Sequence, residues 1–409
     1  MKTGLEKVKK LLISEITEAV RDAVRNAADE LSDAEVRDFI DARLLSHPAR
    51  HAVSVKELLA ISETVFCRTR RELSVLQPLA DDPDVTEIMV NGKDDVFVER
   101  RGLSERVDTG FESTEELEDV IRRIAAKVHR EVNELSPILD ARLLDGSRVN
   151  AVYKNIALGG PALTIRRFPK TAITMKDLIG FGSITREASD FLTALVEAGY
   201  NIFISGGTSS GKTTFLNALS NSIPKNERVV TIEDTAELQL LGIENIVKLE
   251  CRGGSPEGRG EVTVRQLIKS SLRMRPNRII VGEVRGEEVL DMIQAMNTGH
   301  SGSLSTGHGN SPGGMLYRLE AMFLQAADFP IDAIRRQIAE GIDIIVHLGR
   351  LKGGGRAVFE IAEIVDFLNG EIVLSTLYAR EQGQSGHDHG LVKKEELRHT
   401  GKLEIGGFA

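Results

Sequence analysis

Hydrophobic positions near the start of the chain recur at helical spacing. Leu5, Val8, Leu11, Leu12, Ile16, Ala19 and Val20 alternate with charged residues, the signature of an amphipathic helix. Ser32-Asp33-Ala34-Glu35 has the spacing of a capping box and predicts a second helix through Val36, Phe39 and Ile40. Ser46-His47-Pro48 breaks the pattern, and a third helix is predicted from Ser54 to Leu73. These elements make residues 1–75 a helical region. It suits docking of a partner as well as it suits a cap on the protein's own body.

From 80 to 168 the period shortens. Thr86 to Val90 and Asp95 to Glu99 read as strands about an Asn91-Gly92 turn, and Ser113 to Arg130 as an amphipathic helix. Three strand-like runs follow, Ile138 to Leu144, Arg148 to Val152 and Ala162 to Phe168, separated by Asp145-Gly146 and Gly159-Gly160-Pro161. The expectation is a small α+β domain, then a linker over 169–184 that holds Pro169, Gly180 and Gly182. Over 185–368 strands and helices alternate as a parallel α/β sheet requires. Residues 369–409 read as a hairpin at Asn369-Gly370 and a flexible tail, polar and glycine-rich from Gln382 to Gly390. His387 and His389 in that tail could bind a metal, or simply be solvated.

Within the α/β segment one stretch carries chemistry. Gly206-Gly207-Thr208-Ser209-Ser210-Gly211-Lys212-Thr213-Thr214 fits G-x-x-x-x-G-K-[ST]. A strand-like run, Tyr200 to Ser205, precedes it and a helix-like run, Phe215 to Ser220, follows. In that setting glycines turn backbone N–H groups inward around phosphate oxygens, and the helix start adds partial positive charge. Lys212 is expected on the β- and γ-phosphates of ATP, and the Thr213 hydroxyl on Mg²⁺.

Two apolar strands end in acid. Val229 to Ile232 leads into Glu233-Asp234, and Arg278 to Val281 into Gly282-Glu283. Working residues of open α/β sheets lie at the carboxyl ends of strands, so both acidic ends are expected to face one nucleotide. Glu283 is the candidate base that polarises water. Glu233 and Asp234 are candidates for holding Mg²⁺ or water; an acidic pair stabilising a helix start is the other reading. His300 and His308 flank a strand-like segment expected near the same sheet edge, where one of them could sense the γ-phosphate or both could be structural. Arg142, Arg148, Arg166 and Arg167 cluster on the middle domain's last strands, and Arg273, Arg275 and Arg278 precede the Glu283 strand. An arginine on a transferring phosphoryl group is worth about 10³–10⁵ in rate. Between the acidic ends, Arg252 to Gly260 is glycine-rich and expected to be mobile.

Composition narrows the field. The 409 residues are 41% hydrophobic and 28% charged, an ordinary globular balance with room for more than one core. The net charge of −9 gives no electrostatic case for nucleic acid, and four tyrosines without tryptophan do not supply base-stacking platforms. Two cysteines, Cys67 and Cys251, exclude a disulfide framework and suit a reducing cytoplasm. No apolar run reaches membrane-spanning length, and the first residues lack the hydrophobic core of a secretion signal.

Taken together, the motifs resemble those of the type II/IV secretion ATPases, in particular the CpaF-like branch that serves tight-adherence type IV pili. Asp140 to Ala151 and Pro161 to Phe168 are similar to that family's N-terminal nucleotide-facing domain. The phosphate loop is similar to its Walker A, Thr231 to Leu238 to its Asp box, Leu272 to Gly286 to its Walker B, and Thr298 to Ser311 to its His box. The resemblance covers about 85 to 368. It departs at Leu144, Asn277, Ser301 and Gly307, none of which removes a phosphate-contacting or acidic group.

The resemblance implies a RecA-like P-loop ATPase domain and a homohexamer with ATP between the two domains. Arg148 and Arg166 would reach the phosphates, and His308 would act with Glu283 and Glu233. It also implies Mg²⁺-dependent hydrolysis that drives domain rotation against an inner-membrane platform protein, with peripheral attachment to the cytoplasmic face through that partner. A conjugative DNA-transfer relative shares this chemistry. A P-loop kinase or nucleotide switch is the reading from another class; it predicts a monomer with an acceptor-binding lid. A non-hydrolysing nucleotide scaffold is a third reading, against which Lys212, Thr213 and Glu283 occur together.

Overall fold

The protein is represented by a computed structural model that describes residues 2–27, 31–100, 102–128, 130–143, 145–168, 172–252, 260–351, 354–382 and 388–407. Leu144, His387 and most of the Arg252 to Gly260 stretch lie outside the described residues. Chain contacts divide the molecule into two compact units, 1–169 and 170–409.

The first unit opens with helices α1 (Lys2–Asn26), α2 (Asp33–Ser46) and α3 (Val55–Arg70). Ser32–Glu35 and Ser54–Glu57 form the capping boxes that start α2 and α3. Each box satisfies two of the backbone N–H groups that a helix start leaves open. The buried stripe of α1 is Leu12, Ile16 and Val20, which meet Val36, Ile40, Leu44, Ile61, Val65 and Phe66. Leu11, one position off the stripe, is 48% exposed.

A short α4 (Gln77–Asp81) leads into β1 (Val85–Asn91), β2 (Val96–Arg100), β3 (Leu103–Val107), α5 (Thr114–Lys127), β4 (Ile138–Arg142), β5 (Arg148–Val152) and β6 (Ala162–Arg166). The strands form one antiparallel sheet in the order β3-β2-β1-β6-β5-β4. Leu117, Val120, Ile121 and Ile124 of α5 share a core with the alternate residues Ile88, Val90, Val149, Ala151, Leu163 and Ile165. That arrangement is the α+β layer expected from the period change.

The second unit contains α6 (Met175–Gly180), α7 (Arg186–Glu197), β7 (Ile202–Gly206), α8 (Lys212–Ser220), β8 (Val229–Glu233), β9 (Ile246–Glu250) and α9 (Val264–Ser271). It continues through β10 (Arg278–Val281), α10 (Glu288–Asn297), β11 (Leu304–His308), α11 (Pro312–Ala326), α12 (Ile331–Gly341), β12 (Ile344–Arg350), β13 (Arg356–Leu368), β14 (Glu371–Gln382), β15 (Asp388–Lys393) and α13 (Gly401–Gly406). The sheet order is β15-β14-β13-β12-β7-β11-β10-β8-β9. The six strands from β12 to β9 run parallel, and β13, β14 and β15 add antiparallel.

Strand β7 is buried along its whole length and β8 and β10 likewise, as a sheet covered on both faces demands. One face packs on α7 and α8 through Leu192, Leu195, Leu216 and Leu219, the other on α10, α11 and α12 through Ile293, Leu319, Phe323 and Ile338. Asn369 and Gly370, both at positive φ, turn β13 into β14. Beyond it, residues 388–393 form a further strand of the same sheet. His399 and Arg398 then donate their backbone N–H groups to the buried Glu363 carboxylate of β13.

Candidate functional site

Because the central strands are parallel, their carboxyl ends share one sheet edge. Gly206 ends β7, His308 ends β11, Glu233 ends β8, and Glu283 lies two residues past β10. These four come from separate strands, and the sheet order β7-β11-β10-β8 lays them side by side.

The phosphate loop is shaped by its glycines. A Cβ on Gly206 would lie 2.5 Å from Ser210 Oγ and 2.6 Å from the Leu348 carbonyl oxygen, so only glycine fits where β7 leaves the sheet. Ser209 and Gly211 both have positive φ, which curls the loop before α8 begins. Ser210 is buried with its hydroxyl unpartnered inside the curl. Lys212, 8% exposed, directs its ammonium to the Gly207 carbonyl at 3.2 Å and to His308 Nδ1 at 3.3 Å. Burial, helped by Arg285 and Arg318, pulls its pKa below the usual lysine range. A half-desolvated cation in a cradle of glycine backbone fits a polyphosphate. Thr213 and Thr214 follow in the first turn of α8.

Glu283 is the hub of the charges above the loop. Its Oε1 lies 2.9 Å from His308 Nε2 and 3.9 Å from Lys212 Nζ. Its Oε2 accepts from Arg285 Nε at 2.8 Å and Nη2 at 2.6 Å. His308 is held below the ordinary histidine pKa, first by burial and then by Lys212, so its neutral form is favoured beside the ammonium.

Glu233 behaves differently. It is 3% exposed, and one oxygen accepts the backbone N–H groups of Glu237 at 2.8 Å and Leu238 at 3.1 Å. The other oxygen is buried with no partner. Burial raises its pKa to about 7 despite the two N–H bonds. An orphaned carboxylate oxygen at this edge, with the Thr213 hydroxyl at the loop, is a donor set of the oxygen type that Mg²⁺ takes. The site residues therefore fit Mg-nucleotide.

Two sequence expectations change here. His300 lies before the start of β11, at the opposite end of the strand from His308, with Nδ1 3.3 Å from the Ala295 carbonyl. Strand polarity separates the two histidines, so only His308 is at the nucleotide edge. Arg278 likewise sits at the start of β10, buried, donating to Glu227 and to the Val196 carbonyl. It is a structural staple rather than a phosphate ligand. Arg167 is also committed, to the carbonyl groups of Val85 in β1 and of Asp82 just before it.

Arg148 and Arg166 belong to the first unit, where they face each other as register partners on β5 and β6. Glu87 pairs with Arg166 on the other side. Arg285 is the residue whose role sequence reasoning left unassigned, although it stands two positions after Glu283 in the same motif. Arg350 was missed as well. It donates to the Ser209 carbonyl at 3.3 Å from β12, and only the sheet order brings that strand to the loop.

Residues 69–381 match the model of the type II/IV secretion system protein family. The chain belongs to this family. It is 38% identical over 300 residues to an uncharacterised protein of Methanocaldococcus jannaschii, a match spanning 71% of this chain and 41% of that one. It is 36% identical over 293 residues to conjugal transfer protein TrbB of Rhizobium radiobacter, covering 71% and 86% respectively. It is 34% identical over 309 residues to type IV secretion system protein PtlH of Bordetella pertussis, covering 69% and 91%. The chain thus spans less than half of the archaeal relative and most of the bacterial ones.

Among solved structures, the Yersinia pseudotuberculosis ATPase DotB aligns with a TM-score of 0.53 at 19% identity, over 72% of this chain and 79% of that one. The pilus retraction motor PilT aligns with a TM-score of 0.51 at 19% identity, over 73% and 82%. These likenesses concern the fold. A RecA-like α/β P-loop domain preceded by an α+β domain and N-terminal helices is the architecture of this type II/IV secretion family member. Among the described residues no helix is long and apolar enough to cross a membrane.

Proposed function

We propose that this chain is an ATP-hydrolysing motor subunit of a type II/IV secretion-class machine. The observation that carries the reading is the cluster of Lys212, His308 and Glu283 over the phosphate loop, within 2.9–3.9 Å of one another. Loop N–H groups and Lys212 would hold the β- and γ-phosphates, with Gly206, Gly207, Thr208, Ser209, Ser210, Gly211 and Thr214 shaping the cradle. Thr213 and Glu233 are the residues that would hold Mg²⁺, which when bound supplies charge neutralisation. Glu283 takes the proton of the attacking water, and His308 orients the Glu283 carboxylate. Arg148 and Arg166 are proposed to bring positive charge to the phosphates from the first unit, as in the ring the family resemblance implies.

In this proposal the working form is a homohexamer that acts on an inner-membrane platform protein from the cytoplasmic side. The motif resemblance favours assembly of a tight-adherence type IV pilus. The names of the bacterial relatives, conjugal transfer and type IV secretion proteins, favour a conjugation or protein-secretion machine as the second reading.

Steady-state ATPase activity of wild type and Glu283→Gln, followed across protein concentration with oligomer mass measured in parallel, tests the reading. Specific activity is expected to rise as hexamers form, and Glu283→Gln to bind ATP without turnover. Concentration-independent turnover by a monomer, unchanged in Glu283→Gln, would sink both the ring and the catalytic assignment. It would return a kinase or switch to the front.

A further inference from the structure

The Glu283 carboxylate is flanked on both sides: Oε1, buried and without a hydrogen bond, lies 2.9 Å from His308 Nε2 and 3.9 Å from Lys212 Nζ, while Oε2 accepts both bonds of the Arg285 fork. A carboxylate oxygen offers about two acceptor sites, so the Arg285 fork fills those of Oε2, while Oε1 is buried. Arg285 has a second carboxylate within reach. Its Nη1 lies 3.4 Å from Asp234 Oδ2, just past β8. Its backbone N–H is meanwhile fixed by Glu288 Oε1 at 2.5 Å. The main chain is anchored while the fork stands between two acids. Arg285 is 59% exposed and belongs to neither hydrophobic core, so the fold does not depend on it for packing.

We propose that Arg285 is a positioning residue that neutralises and covers Glu283 until a polyphosphate enters the loop, then shifts its fork to Asp234 and frees Glu283 for water. The inference rests on the reading of the loop as an ATP site. The physical need is plain. Glu283 lies 3.9 Å from the ammonium that must receive the phosphates, and an uncompensated carboxylate there would repel them. Once Lys212 turns to the phosphates, the local charge changes. Asp234, already at 3.4 Å, then competes for the guanidinium.

The test is equilibrium binding of ATP in EDTA, by calorimetry, to wild type, Arg285→Ala, Glu283→Gln and the double variant, with circular dichroism as the folding control. Arg285→Ala is expected to weaken ATP binding about tenfold, and Glu283→Gln to bind at least as well as wild type. The double variant should return to within about twofold of Glu283→Gln, because no carboxylate remains to be neutralised. Arg285→Lys should keep affinity within about threefold of wild type, since it keeps the charge. Asp234→Asn should lower kcat about tenfold at unchanged KM, because the fork loses its alternative partner. A double variant as weak as Arg285→Ala, or an Arg285→Ala with wild-type affinity, overturns the proposal and leaves the ATPase reading intact. Folded wild type that binds no ATP removes both.

Discussion

Replacing Glu233 by glutamine should make the nucleotide-free protein more stable, and increasingly so as pH rises. Glu233 is buried, with one oxygen on two backbone N–H groups and the other on nothing. Its pKa is raised from 4.5 to about 7, chiefly by burial. The folded state therefore holds this proton more tightly than the unfolded chain. Stability from that proton is fully present below pH 4.5 and is lost as pH climbs through 7. The difference of about 2.5 pH units at ~1.36 kcal/mol each amounts to about 3 kcal/mol. Glutamine keeps an acceptor for the Glu237 and Leu238 N–H groups and cannot ionise. For a unit of this size 3 kcal/mol corresponds to roughly 6–12 °C in Tm. The assay is thermal melting by far-UV circular dichroism, since the chain has no tryptophan, in EDTA from pH 5 to 8. The Tm gap between Glu233→Gln and wild type should widen with pH and level off above about 7.5. A gap that stays flat, or that closes as pH rises, would refute the argument that Glu233 is folded in its protonated form.

Gly206→Ala sets a Cβ against the Leu348 carbonyl, which the β12 ladder holds, so a loss of about 1–3 kcal/mol and of ATP binding is expected in melts and calorimetry. Arg278→Met leaves the partly exposed Glu227 unpaired and should cost about 3 kcal/mol in urea unfolding. Because Arg278 is at the far end of the sheet, the ATPase rate of the protein that stays folded at low temperature should be unchanged. A selective kcat loss would move Arg278 back into the site. His308→Gln should lower kcat about 10²-fold through its contact with the base Glu283, with a much smaller loss of ATP affinity in EDTA through its contact with Lys212. Equal losses in both would mean that His308 binds phosphate instead.

Much of the local structure is written in short-range pattern. The boxes at Ser32 and Ser54, the Asn91-Gly92 and Asn369-Gly370 turns and the glycine loop rest on residues a few positions apart, and each appears where its chemistry requires. Strand β3 escaped notice because it is an edge strand whose residues are largely exposed and polar, leaving no apolar alternation to read; β9, the edge of the other sheet, alternates Val247 and Leu249 with Lys248 and Glu250 and was legible but went unread. The sequence also named Lys212, Glu233, Glu283 and His308 one by one, from the loop motif and the acidic or histidine ends of apolar runs.

Their grouping is another matter. His308 meets Glu283 because β11 inserts between β7 and β10, and strand order depends on how crossover helices pack on the two sheet faces, not on any local window. The same order decided that His300 and Arg278, close in sequence to working residues, fall at the opposite end of the strands. It also decided that Arg285 and Arg350 reach the loop's surroundings. Sequence alone determined which groups could do phosphate chemistry. The parallel sheet decided which of them share an edge, because a strand's direction sends its two ends some four or five residues' length apart, about 15 Å, too far for one site to use both.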